Sequence, residues 1–235
     1  AAVTTGIQNT LIGGLAGDAI TTGEMNTVLG YAALSNETAG NYSTAIGREA
    51  LYAQNNGDVN TYNVGVGFKA GTAVTTGINN TLIGGLAGDA LTDADYNTVL
   101  GFNALSADTL GSRAVAIGFE ALNDQNFTSA TDSYNIAIGF NAGCKVTTGI
   151  KNTFVGGLAG DATTTGFENI AIGYDSLGTN TLGSHSVAVG PSALRTQNYG
   201  SATNAYNTAV GSFAGYAVTT GTANTLIGGL AGDAI

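Results

Sequence analysis

The residues able to do chemistry are few and scattered. The one histidine, His185, sits in Gly-Ser-His-Ser, and the one cysteine, Cys144, has no partner within the chain, which excludes a disulfide framework. Their residue types do not recur. Stations equivalent to His185 carry Asn41 or Tyr42 and Arg113, and those equivalent to Cys144 carry Thr72 and Tyr216. His185 therefore reads as surface decoration and Cys144 as incidental, and no nucleophile–base pair is nominated. Asp18, Asp89, Asp161 and Asp233 recur in Gly-Gly-Leu-Ala-Gly-Asp or related segments, which superficially match a calcium-roll nonapeptide. Ca²⁺ wants about six to eight oxygens within about 2.6 Å. One carboxylate in every 71 or 72 residues does not supply them, and Ala16 stands where that motif needs glycine. No metal ligands and no cofactor are expected. Cleaving a polysaccharide takes two carboxylates about 5–10 Å apart. Asp93 and Asp95 are the nearest pair, but their sibling stations hold Thr22 and Glu24, then Thr165 and Phe167. The expectation is a protein that is not an enzyme, with a polysaccharide-degrading tailspike as the alternative.

Composition narrows the class further. Glycine supplies 37 of 235 residues and charged residues only 9%, with one proline and no tryptophan. The glycines do not fall at every third residue, which excludes collagen, and 43% hydrophobic content with little charge argues against a solvated coil. A net charge of −10 argues against binding nucleic acid or an anionic membrane through a basic patch. No apolar run is long enough for membrane insertion.

The elements that would position any site are repeats. The motif Asn-Thr-x-Ile-Gly-x-x-Ala recurs with its glycine at 13, 30, 47, 67, 84, 101, 118, 139, 156, 173, 190, 211 and 228, in steps of 17 broken by steps of 20 or 21. Thirteen units result, grouped in fours, and Val-Thr-Thr-Gly marks the longer register at Val3, Val74, Val146 and Val218. The chain reads as one repeat domain over 1–235, with super-repeats 3–73, 74–145 and 146–217 and a partial one at 218–235. The residue before the glycine is always aliphatic, the third before is threonine, valine or isoleucine, the fourth before is asparagine in ten units, and the third after is alanine in twelve. Short β-branched runs closed by glycine are strand signals, not helix signals. Strands this short bury nothing alone, but identical turns can stack into a ladder. The spacing predicts an all-β fold, a parallel β-solenoid of thirteen coils of 17–21 residues. The constant aliphatic is expected to point into the coil, and the asparagines to form a ladder that satisfies buried polar groups.

Two before the glycine stand Leu11, Val28, Leu82, Val99, Phe154 and Leu226 among smaller residues, none polar. Alternation along a strand then turns these six outward, where leaving a leucine or phenylalanine wet forfeits about 1.5–3 kcal/mol. The expectation is that they form an oligomer interface; a loop of the same coil covering them is the alternative.

Units such as Asn26-Thr27-Val28-Leu29-Gly30-Tyr31-Ala32-Ala33-Leu34 resemble the 17-residue repeats of phage-tail-fibre-like surface proteins that precede chaperone-of-endosialidase domains. The shorter core Ser186-Val187-Ala188-Val189-Gly190 is similar to the head repeat of trimeric autotransporter adhesins. The resemblance runs the whole chain. It implies a left-handed parallel β-roll, a homotrimer, an extracellular place on a cell surface or virion, and attachment as the task. Neither a chaperone domain, a coiled-coil stalk nor a membrane anchor accompanies it here.

The long units at 54–62, 125–134 and 197–206 are rich in amides and aromatics, which suit a surface glycan. Asn55, Tyr62, Asn126, Phe127, Tyr134, Asn198, Tyr199 and Tyr206 are the candidate partner contacts, with a purely structural bulge as the other reading. Ice binding, which needs an unbroken threonine rank, is disfavoured because Thr4 and Thr5 are adjacent and Val64, Val115, Ile136, Ile170 and Val187 interrupt the other rank. The same unit type stands at both ends of the sequence, which suggests a window of a longer array or end-to-end stacking.

Overall fold

The computed structural model describes residues 3–234; residues 1, 2 and 235, the outermost positions of the expected repeat domain, lie outside it. The described residues contain no helix. The strands are β1 (Thr10–Ile12), β2 (Thr27–Leu29), β3 (Thr44–Ile46), β4 (Val64–Val66), β5 (Thr81–Ile83), β6 (Thr98–Leu100), β7 (Gly111–Ser112), β8 (Val115–Ile117), β9 (Thr131–Asp132), β10 (Ile136–Ile138), β11 (Thr153–Val155), β12 (Ile170–Ile172), β13 (Gly183–Ser184), β14 (Val187–Val189), β15 (Thr203–Asn204), β16 (Thr208–Val210) and β17 (Thr225–Ile227). One thirteen-stranded parallel sheet takes one strand from every coil, and β7–β9 and β13–β15 make two small sheets. The fold is a β-solenoid, and pairing is station on station: Thr10, Leu11 and Ile12 face Thr27, Val28 and Leu29. The longer units do not shift this register, since Thr44 still pairs with Val64. The chain divides into two compact units, Ala1–Ala114 with Asn126–Thr131, and Val115–Gln125 with Asp132–Ile235.

The facing of the strands is the reverse of the expectation. Val28, Leu82, Val99 and Phe154 are fully buried inside their own coils, and Leu11 and Leu226 are half-buried at the same station in the first and last coils. The four buried ones are not available as an interface, contrary to the expectation. The residue just before the glycine turns outward instead: Leu29 is 45% exposed and Leu100 46%. Alternation fixes that neighbours in a strand face opposite ways, but not which way, and constancy of the aliphatic is not evidence of burial.

Inside the coil, size decides the sequence. The inner station, two before the glycine, shares its space with an elbow station four after it. Where the inner residue is large, the elbow of that coil is glycine: Leu82 goes with Gly88 and Phe154 with Gly160. A Cβ on Gly160 would come 2.5 Å from Phe154 Cε1, and one on Gly71, in the coil before Leu82, 2.6 Å from Leu82 Cδ1. Where the inner residue is Ala45, Ala116, Ala171 or Ala188, the elbow is a fully buried leucine, Leu51, Leu122, Leu177 or Leu194. Four coils are needed to bring the pattern round, which gives the super-repeat its period.

The corners carry unusual backbone. The strand-end glycines have φ of 125–149°, and a Cβ on Gly13 would sit 2.6 Å from the carbonyl oxygen of Gly30 in the next coil. Among the described residues thirty-two other than glycine also have positive φ, a conformation that costs roughly 1–2 kcal/mol each. Inter-coil hydrogen bonds hold them: the amides of Met25, Tyr42 and Tyr96 donate to the carbonyls of Ile7, Glu24 and Ile78 at 3.1 Å, and that of Glu49 to Tyr31 at 3.0 Å. The asparagine station is the second fastener. Asn80 Nδ2 donates to Ala94 O at 2.7 Å, and Asn80 Oδ1 accepts from the amide of Asn97 at 3.0 Å. Asn152 does the same with Gly166 O at 2.9 Å and the Asn169 amide at 3.0 Å.

Core complementarity is testable by a cycle on coil nine. Phe154→Ala alone should cost about 3–5 kcal/mol by cavity formation, and Gly160→Leu alone should overpack and destabilise by about 1–3 kcal/mol. Together they copy the Ala171–Leu177 pairing, so denaturant unfolding should show the double variant more stable than the sum by about 1–3 kcal/mol. Strict additivity would contradict the shared-volume account.

Candidate functional site

Outside the coils, the sheet presents two ranks of side chains. The outer rank next to the glycine is Ile, Leu or Val in all thirteen coils, and the rank two residues earlier is threonine in eight and valine or isoleucine in five. In the first compact unit Ile12, Leu29 and Leu100 stand more than two-fifths exposed; in the second, Ile136, Ile138, Ile170 and Ile172 are each more than a third exposed. Past the glycine corner a file of exposed aromatics flanks this face, with Tyr31, Phe68 and Phe102 in the first unit and Phe119, Phe140 and Tyr174 in the second. The Phe119 and Phe140 rings stack at 5.4 Å. Scattered apolar residues on a surface mean little, but contiguous apolar ranks mark an interaction face. The signal was present in the sequence: the outer residue keeps its size in every coil while the inner one ranges from Gly65 to Phe154.

The long units divide into anchors and exposed rings. Asn55 Oδ1 accepts from Thr38 Oγ1 at 3.0 Å, Asn126 Oδ1 from Thr109 Oγ1 at 3.2 Å, and Asn198 Oδ1 from Thr181 Oγ1 at 2.7 Å. Phe127 and Tyr199, expected as partner contacts, are 6% exposed. They plug their loops over Gly111 and Gly183, where a Cβ would come within 2.9 Å of the rings, and Tyr199 Oη donates to Gly221 O at 2.8 Å. Beneath the loops lies a buried polar network. Glu37, wholly enclosed, accepts from the amides of Thr38 and Gly40 at 3.0 and 2.8 Å and from Gln54 Nε2 at 3.0 Å. Gln54 Nε2 also donates to Ser43 Oγ at 2.7 Å, and Gln54 Oε1 accepts from Asn63 Nδ2 at 2.9 Å. Gln125 and Gln197 each accept from their own asparagine, Asn135 and Asn207, at 2.8 Å. Gln54, Gln125, Gln197, Phe127 and Tyr199 are therefore built into the structure, while Asn55, Asn126 and Asn198 stay exposed and bonded to the neighbouring coil.

Tyr62, Tyr134 and Tyr206 remain exposed. The ring of Tyr62 stacks on Tyr42 at 5.1 Å, and that of Tyr206 on His185 at 5.0 Å. His185 also meets the Phe167 ring edge-on at 5.0 Å and Glu168 Oε2 at 3.2 Å. It belongs to a packed surface column, a role its sequence neighbours did not reveal.

Other candidate chemistry is engaged in stitching coils together. Asp95 Oδ1 accepts from the Ile78 amide at 2.7 Å, and Asp93 Oδ1 from Thr76 Oγ1 at 2.6 Å. Burial first, then the Asp161 carboxylate, pushes the Cys144 thiol up to about 11, so it stays protonated and unreactive at neutral pH. Asp18 Oδ1 accepts from Ser35 Oγ at 2.6 Å. Asp89 and Asp161 each hold one buried oxygen without a hydrogen-bond partner, and burial raises both carboxyls, Asp161 to about 6 with the neighbouring Asp175 adding to it. Among the described residues no three His, Cys, Asp or Glu side chains are grouped to hold a metal ion. No protein-family model matches the chain, and no curated protein or solved structure matches it.

Asp161 binds its proton more tightly in the fold than in the unfolded chain, so its contribution favours folding at low pH and is lost as pH rises from about 4 through about 6. Asp161→Asn removes that dependence. Melting temperatures of the two proteins should diverge between pH 4 and 7, the variant gaining relative to the parent as pH rises. A difference that stays constant across this window would rule out the titration.

Proposed function

We propose that the chain is the structural shaft of an extracellular homotrimeric fibre, a tail fibre or surface adhesin, that gives rigid reach and attachment to a host or surface. One observation carries the reading: an outer rank aliphatic in every coil, yet exposed on the single chain in seven coils and only half-buried in the other six. Nothing inside the coil requires that rank to be apolar, since its side chains take no part in the core. Burying each such residue against a neighbour is worth about 1.5–3 kcal/mol, and repetition along the sheet makes the sum decisive. The number three, the extracellular setting and the attachment task rest on the resemblance to tail-fibre and adhesin-head repeats. The interface is moved from the inner rank to the outer one. No helix among the described residues is long and apolar enough to cross a membrane. A polysaccharide-cleaving reading has less support, because Asp93 and Asp95 are already hydrogen-bonded between coils.

Light scattering should give the protein three times its 23.3 kDa chain mass. Leu29→Lys with Leu100→Lys should bring it to one chain while leaving the circular dichroism of the monomer unchanged, as expected for exposed positions. Leu82→Asp, aimed at the core, should instead lower the melting temperature steeply. A parent protein that is already monomeric at micromolar concentration would sink the trimer.

A further inference from the structure

Beyond the glycine corner the first three coils form a groove of about 390 Å³ lined by Leu15, Tyr31, Ala32, Ser35, Glu49 and Tyr52. We infer that this groove is a subsite for one unit of a neutral saccharide, held between the Tyr31 and Tyr52 rings with its hydroxyls on Glu49 and Ser35. The inference rests on the reading of the chain as an attachment fibre and gives that attachment a place and a ligand class.

Its volume falls within the roughly 300–1,000 Å³ of small-molecule sites, and its lining is of two kinds. Leu15, Tyr31 and Tyr52 are 50%, 55% and 40% exposed, and offer apolar surface to the C–H faces of a sugar ring. Tyrosine also brings a hydroxyl that donates and accepts, as does serine. Ser35 Oγ is oriented by its bond to Asp18 Oδ1 at 2.6 Å. Glu49 supplies carboxylate oxygens, the acceptors that bind sugar hydroxyls most strongly.

The charges select a neutral ligand. Glu49 is paired with Arg48 at 2.9 Å and with Lys69 at 3.5 Å, so it holds no unbalanced charge for a cationic ligand. The Arg48 guanidinium is itself set 5.9 Å from the centroids of both Tyr31 and Phe68, which holds the carboxylate in place before any ligand arrives. A chain of net charge −10 disfavours an anionic sugar. The site is also particular to its super-repeat. The stations of Tyr31 and Tyr52 carry Phe102 and Asn123 in the second super-repeat and Tyr174 and Arg195 in the third, so only the first pairs two rings.

Saturation-transfer NMR on the whole protein, with maltotriose, cellotriose and N-acetylchitotriose as neutral probes and sialyllactose and spermine as charged ones, tests this. The expected result is transfer to ring protons of at least one neutral probe, with affinity at least tenfold weaker in Tyr52→Asn and unchanged in Tyr174→Ala. Asparagine already occupies the Tyr52 station at Asn123, so the variant should fold, and its melting temperature checks that. Transfer to no neutral probe, transfer that survives Tyr52→Asn, or binding of sialyllactose or spermine alone overturns the subsite. Light scattering of the same samples separates the two readings. A trimer that binds no neutral sugar loses only the groove, and a monomer that binds one loses only the trimer.

Discussion

Each coil is one side chain deep, so two stations compete for every parcel of its interior. The inner residue of the strand and the elbow residue beyond the glycine corner cannot both be of leucine size or more, although valine fits with leucine at Val28–Leu34 and Val99–Leu105: a Cβ at Gly160 already reaches the Phe154 ring, and one at Gly65 would come 2.7 Å from Leu51 Cγ in the coil before. Close packing at this density has no slack to absorb an added methylene. A choice made in one coil is therefore passed to the next. Large residues at Leu11, Leu82, Phe154 and Leu226, four coils apart, are the places where that exchange resets.

Holding such thin coils together consumes most of the polar groups. The corners demand left-handed backbone from tyrosines, leucines and lysines, and the amides at those corners are tied to the adjoining coil. Asparagine at its own station closes the remaining corner from both of its amide atoms. In the long units the same economy reaches further inward, to a carboxylate at Glu37 wrapped in backbone amides and the Gln54 side chain. Buried polar networks satisfied in this way fix register, and they leave few groups uncommitted.

What is left over faces outward in two forms. Aliphatic ranks on the sheet have no role within the chain and are suited to burial against other chains. The grooved surface past the corner varies from one super-repeat to the next, as a recognition surface can when the frame beneath it is fixed. On the proposed reading, assembly uses what repeats and recognition uses what does not.

The number of coils, their parallel pairing and the place of the thirteen main strands could be read from thirteen recurrences of one glycine, because a period is a property of the chain alone; the short strands β7, β9, β13 and β15 could not. The asparagine ladder followed for the same reason. Facing did not. Alternation relates Leu82 to Ile83 but says nothing of which one is inside, and that is settled by where the elbow leucines and glycines come to lie, four residues beyond the corner of the same coil and of the coil before. Nor could spacing show that Phe127 and Tyr199 are plugs while Tyr62 is exposed, since each depends on the absence of a side chain at a glycine in another coil. The sequence by itself determined the repeating cross-section. Only the tertiary structure decided which side of each strand is core, because that depends on volumes contributed by residues far apart in the chain.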